Sequence, residues 1–226
     1  MMRFVATCVL ITPLLGSAGN AQTTDDDTFG TVVNVPAFRP EMEPDRTFAG
    51  NDQAVLDTLR GYFERGAEES ATILAELEEA GLDRLAPPFL MEYARRQWLI
   101  GDPSWSANYG IGKTRMMYDR LSCTDRSASP FQVVIETEFS AFGDFISAYN
   151  SRSEDEQKAD MKVGLESGKF FNSGASAWWI CSHGMASMTA AFDGRALELD
   201  EWWVGADERD KIRAQGEAAF RSAFGP

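Results

Sequence analysis

The chain has 226 residues, with 21 basic side chains against 35 acidic ones and a formal net charge of −14. So negative a surface repels phosphate backbones and anionic headgroups, which sets nucleic acid aside as a partner. The length is enough for one sizeable core, and no segment beyond the N-terminus is apolar over the ~20 residues that a membrane span needs.

The first residues read MMRFVATCVLITPLLGSAGNAQ. Arg3 supplies a basic start, Phe4 to Leu15 a short apolar run, and Gly19-Asn20-Ala21 a small-x-small cleavage site. Residues 1–21 are therefore expected to be a signal peptide, and the mature protein periplasmic or secreted. Cys8 lies early in the apolar run rather than at its end, which argues against a lipoprotein site. Residues 22–50 follow as an irregular acidic leader, with Asp25-Asp26-Asp27, three prolines and no helical period. A solvated acidic tail is the simplest reading of that run, since no cation-loop spacing follows it.

From residue 51 to 226 the pattern is that of a single helical domain. Asn51 or Asp52 can cap a helix whose Val55, Leu56, Leu59, Tyr62 and Phe63 share a face, and Gly66 ends it. A second helix over about 67–80 carries Ile73, Leu74 and Leu77, with Gly81 as a stop signal. Pro87-Pro88 opens a third, carrying Phe89, Leu90, Tyr93 and Leu99, which ends near Gly101-Asp102-Pro103.

The next stretch, Ala107 to Thr114, reads ANYGIGKT and fits a relaxed phosphate-loop pattern. A working phosphate loop needs a strand to deliver a glycine-rich turn and a helix that begins at the lysine. Here GDPSWS precedes it, which is turn chemistry, and no apolar run ending in Asp follows. No nucleotide site is expected. Gly110 and Gly112 are read as a loop, with a helix over Thr114–Leu121 turning Met116, Met117 and Leu121 inward.

In Ser129-Pro130-Phe131-Gln132, Ser129 can be an N-cap, Pro130 the first helical residue and Gln132 the partner in a capping box. A helix over 130–150 should follow, with Phe131, Val134, Ile135, Phe142, Ile146 and Tyr149 as its stripe. A strand over Phe131–Phe139 is the competing reading, because QVVIETEF is rich in β-branched residues. A short polar helix is expected over 154–167. A buried helix is expected over 175–192, with Trp178, Cys181, Met185, Met188 and Phe192 as an inward stripe. Small residues (Ala177, Ser182, Gly184, Ala186, Ala190) let neighbouring helices approach it. An acidic connector with Trp202-Trp203 leads to a last helix over 207–224, with Ile212, Ala219, Phe220 and Phe224 inward. The sum is an all-α protein, an irregular bundle of about seven helices.

Cys123 and Cys181 survive cleavage of the signal. In an oxidising compartment an even pair suggests one disulfide, and closing a 58-residue separation would contribute about 4 kcal/mol. That bond would deny a thiol to His183, the only histidine. Cys181 and His183 are two apart, so on a helix they point away from each other. A metal site built on Cys123, Cys181 and His183 lacks the close ligand pairs typical of zinc, and no metal or other cofactor is expected.

Glu92, Glu136 and Glu138 sit in apolar helical segments and are the candidate carboxylates for glycan hydrolysis, which needs an acid and a base or nucleophile. Trp98, Trp105, Trp202 and Trp203 are the candidate contact residues, as stacking platforms or anchors for a protein partner. The favoured reading is an exported, non-catalytic protein that binds a protein or another envelope component. The alternatives are a carboxylate-dependent glycan hydrolase and, behind it, a thiol enzyme using Cys123 and His183.

Overall fold

The computed structural model describes residues 52–169, 177–195 and 197–224. The expected signal peptide and acidic leader, residues 1–50, lie outside the described residues. The chain is mostly helical, and among the described residues no strand forms; the strand considered over Phe131–Phe139 is helix instead. The elements are α1 (Asp52–Glu64), α2 (Ser70–Ala80), α3 (Pro87–Ile100), α4 (Trp105–Ser122), α5 (Pro130–Ser140) and α6 (Gly143–Asn150). They continue as α7 (Glu154–Glu166), α8 (Trp178–Cys181), α9 (Met185–Phe192), α10 (Leu199–Trp202) and α11 (Ala206–Phe224).

The apolar stripes read in α1 to α3 face inward. Val55, Leu59, Tyr62, Ile73, Leu77 and Phe89 are all fully buried. The end of α3 shows why Gly101 stops it. Its φ of 78° is left-handed, so Gly101 N–H reaches Trp98 O at 3.1 Å and Asp102 N–H reaches Gln97 O at 2.9 Å. These two bonds satisfy carbonyls that an α-helix leaves open at its end.

The ANYGIGKT stretch, expected to be a loop at Gly110 and Gly112, instead lies wholly inside α4. The helix begins at Trp105, nine residues before the expected start at Thr114. The glycines are there for close packing rather than for a turn. A Cβ on Gly112 would stand 2.8 Å from Met91 Cγ and 3.3 Å from Met91 N, so α4 lies almost backbone to backbone on α3. Met116 is fully buried as expected, but Leu121 is exposed.

The helix expected over 130–150 is two helices. α5 stops at Ser140, and Phe142, at φ −98° and ψ 61°, turns the chain into α6. That break swings the Phe142 ring edge-on to Phe63, 4.8 Å between centroids, and beneath the Arg95 guanidinium at 4.1 Å. The capping box expected at Ser129–Gln132 does not form, because Ser129 already has helical angles. A 3-10 turn over Arg126–Ala128 leads into α5, and Asp125 accepts from Ser127 N–H at its start. A capping box forms instead at α7, where Ser153 and Glu156 exchange bonds of 3.3 and 2.8 Å.

The helix expected over 175–192 is also divided, into α8 and α9, by Ser182 to Gly184. α11 lies against α4 and α7 with Ile212 and Phe220 only half-buried, and Ala219, expected inward, is exposed.

Candidate functional site

The three candidate carboxylates have separate partners. Glu92 is fully buried, and both its oxygens are occupied: Oε1 and Oε2 each accept from Arg95 at 2.7 Å, and Oε1 also accepts from Arg96 Nε at 2.7 Å. Glu136 accepts from Gln132, one turn earlier in α5, at 2.9 Å. Glu138 pairs with Arg60 of α1 at 2.6 Å. Each has its own partner, two in ion pairs and Glu136 in a hydrogen bond with a neutral amide within its helix, whereas glycan hydrolysis needs two carboxyls flanking one bond.

Arg96 explains why Glu92 is there. Its guanidinium donates to Gly66 O at 2.7 Å, to Arg65 O at 2.8 Å and to Tyr62 O, carbonyls at and just beyond the C-terminus of α1. A cation here satisfies those acceptors and meets the negative end of the helix dipole. Burial pulls Arg96 below its usual pKa, and Glu92 works against that shift.

The cysteines are joined. Cys123 and Cys181 stand at disulfide distance, 2.15 Å between sulfurs and 5.2 Å between α-carbons. The thiol reading loses its nucleophile, and the metal reading its two sulfurs. Among the described residues no three His, Cys, Asp or Glu side chains gather as metal ligands would. His183 lies against Phe131, 4.5 Å between ring centroids, and is partly buried.

Around this disulfide, two chain segments are stitched together at four points. Trp179 Nε1–H donates to Asp119 Oδ2 at 2.7 Å, deep in the core. The disulfide comes next. Met185 N–H then donates to Ser127 Oγ and Ala186 N–H to Asp125 Oδ2, both at 2.7 Å. The last two bonds make Asp125 and Ser127 the N-terminal cap of α9, supplied from elsewhere in the chain. Gly184 occupies the cap position itself because a Cβ there would run into the Asp125 carboxylate. Burial works against the Asp125 charge, but the hydrogen bonds from Ala186 and Ser127 outweigh it and hold the carboxyl below its usual pKa. On the other side of the bridge, Thr124 N–H bonds Trp202 O at 3.0 Å and Val204 N–H bonds Ser122 O at 2.9 Å, which pins the Trp202-Trp203 connector to the end of α4.

Asp119 is the most perturbed carboxyl of this region. Burial pushes its pKa up to about 7, against the Trp179 hydrogen bond and the charge of Arg115. A buried acid poised near neutrality is a feature shared with catalytic sites. Two cavities beside α4, one lined by Arg115 and the other by Met117, Tyr118 and Leu121, do not reach Asp119. Neither Arg115 nor Asp119 was singled out in the sequence; their i, i+4 spacing within α4 was the available signal.

Of the tryptophans expected at the surface, Trp202 is 2% exposed and donates its indole N–H to Leu197 O at 3.2 Å, so it is core and not a contact residue. Trp98 and Trp105 are half-buried on either side of Phe145. Trp203 is half-buried beneath Arg209 at 4.6 Å.

The outward apolar surface lies on α9 instead. Met185 is 57% exposed and Phe192 85% exposed, with Met188 half-buried between them. The three are spaced i, i+3, i+7 and so form one stripe. Of the stripe expected to face the core, Cys181 is buried, but Met185 and Phe192 face out. The inward positions are Ser187 and Ala190, both buried. Small residues on that side let α9 settle closely, and the large ones are left in solvent.

Comparison with known protein families, with characterised proteins and with solved structures finds no match, so function is argued from this geometry alone.

Proposed function

We propose that this is an exported, non-catalytic binding protein that holds a protein partner on the outward stripe of α9. The observation that carries the reading is Met185 and Phe192 turned to solvent, with Met188 half-buried between them, on a helix fixed from behind by the four-point stitch. Apolar side chains in that number on a rigid, capped element suit a protein contact, where large flexible and aromatic residues act as anchors. The bonded cysteine pair supports export, because such pairs persist in oxidising compartments. Near the stripe the chain carries Asp193, Glu198, Asp200 and Glu201 against Arg195 alone. The partner surface is therefore an apolar knob with a basic rim.

A photoreactive phenylalanine analogue at Phe192, in the full chain exported by its source cell, tests this. The expected result is a discrete crosslink to one protein, weakened by high salt and lost with Met185→Asp. The same adducts from a probe at Val163, on the exposed face of α7, would sink the idea. So would recovery of the protein with Met1 still in place and both thiols free.

A further inference from the structure

A second feature, remote from α9 in the chain, is a groove of about 420 Å³ between the end of α3 and the start of α6. Its apolar lining includes Trp98, Phe142 and Phe145. Phe142 is the residue before α6, and Gly143, Asp144 and Phe145 are the first three residues of that helix; all four line the groove. No side chain caps α6, and its backbone ladder opens with Ile146 N–H on Phe142 O at 3.1 Å. The first-turn amides are thus left without acceptors inside the fold, and they sit at the positive end of the helix dipole.

An independent donor lines the same groove. The Arg95 side chain is 7% exposed and stacks on the Phe142 ring. Its Nε and Nη2 are spent on Glu92, but Nη1 bonds nothing in the fold. Charge also favours an anion here. Glu92 is shared between Arg95 and Arg96, so two buried guanidiniums stand against one carboxylate. Arg96 finds its other partners in backbone carbonyls, which bring no full negative charge.

We propose that this groove binds a small carboxylate with an aryl or alkyl body. The carboxylate meets Arg95 Nη1 and the open amides of α6, and the apolar body lies against Trp98, Phe142 and Phe145. A planar carboxylate matches a guanidinium better than a spherical ion does. The aromatic lining supplies apolar area that an inorganic anion cannot use. Asp144, exposed at the rim, opposes the ligand charge and keeps the binding weak.

Isothermal titration of the full chain with phenylacetate tests the site, with phenylacetamide and inorganic phosphate as comparators. Phenylacetate should bind saturably in the millimolar range or tighter, and both comparators at least tenfold more weakly. Asp144→Asn should tighten phenylacetate by about twofold to fivefold, since it removes an exposed like charge. Ala141→Glu, at an exposed position of the groove edge, should weaken it. Both substitutions leave the core untouched, so each variant should fold, with a thermal midpoint within about 3 °C of the parent. The proposal is overturned if phenylacetate does not bind at about 10 mM, if the neutral amide or phosphate binds as well, or if Asp144→Asn weakens binding. None of these outcomes depends on α9.

Discussion

Replacing each glycine of α4 by alanine should change stability with opposite signs. In a helix interior, alanine is favoured over glycine by about 1 kcal/mol. At Gly110 a new Cβ would meet Tyr149 Oη at 3.4 Å and Met161 Sδ at 3.7 Å, which is ordinary contact. Gly110→Ala should therefore gain most of that propensity. At Gly112 the Cβ would meet Met91 Cγ at 2.8 Å, Met91 N at 3.3 Å and Pro87 O at 3.4 Å. Two of those atoms are backbone, so α3 and α4 must move apart, and overpacking of this kind costs about 1–3 kcal/mol. The net for Gly112→Ala is a loss of about 1 kcal/mol. For a domain of this size that is a fall of about 2–4 °C in thermal midpoint, against a rise of similar size for Gly110→Ala. Calorimetry or urea unfolding of the oxidised protein reads both. If the two variants shift the same way, the close-packing account of this glycine pair is wrong.

Asp119→Asn isolates the buried carboxyl. With its folded pKa raised to about 7, Asp119 holds a proton in the native state that the unfolded chain releases near pH 4. Its contribution is therefore fully present below about pH 4 and is lost as pH rises to about 7. The variant should match the parent near pH 4 and exceed it at pH 8 by up to about 4 kcal/mol in denaturant midpoints; a difference independent of pH would refute the assignment. Arg96→Met removes a buried cation from Glu92 and from the carbonyls of Tyr62, Arg65 and Gly66, and should cost about 3–5 kcal/mol in chemical denaturation, with no rescue by lysine, which lacks the planar fork. Asp125→Ala should cost about 1–2 kcal/mol, and amide exchange should quicken at Met185 and Ala186 while the core of α3 stays protected.

The helices that could be read from the sequence were those whose period and stop signals agree. In α1 to α3, apolar residues at 3.6-residue spacing end at a glycine, and the structure follows them. The errors fall where a residue's role depends on distant partners. Gly110 and Gly112 look like loop residues unless Met91 and Pro87 are known to lie against one of them. Ser129 has the composition of a cap, but the 3-10 turn before it has already set helical angles. The divisions at Phe142 and at Ser182 to Gly184 answer to Arg95, Phe63 and Asp125, all distant in sequence. Cys181 in α8 is buried as its stripe predicts, but Met185 and Phe192 in α9 face out, because spacing defines a stripe without saying whether it faces in or out. The pairing of Cys123 with Cys181 is legible from the even number of cysteines left after the expected signal peptide, together with the export that such a peptide implies. Glu92 was noticed as an acid in an apolar helix, but its arginines three and four residues on were the better guide to its role.

The bridge between Cys123 and Cys181 encloses all of α5, α6 and α7. A peptidase that severs the backbone anywhere in that span therefore produces two fragments that stay covalently attached. On a gel the cleaved protein migrates as one species until a reductant is added. Damage in this part of the molecule leaves both halves tethered and able to re-dock, whereas a cut before α4 leaves α1 to α3 held by packing alone, with no covalent link.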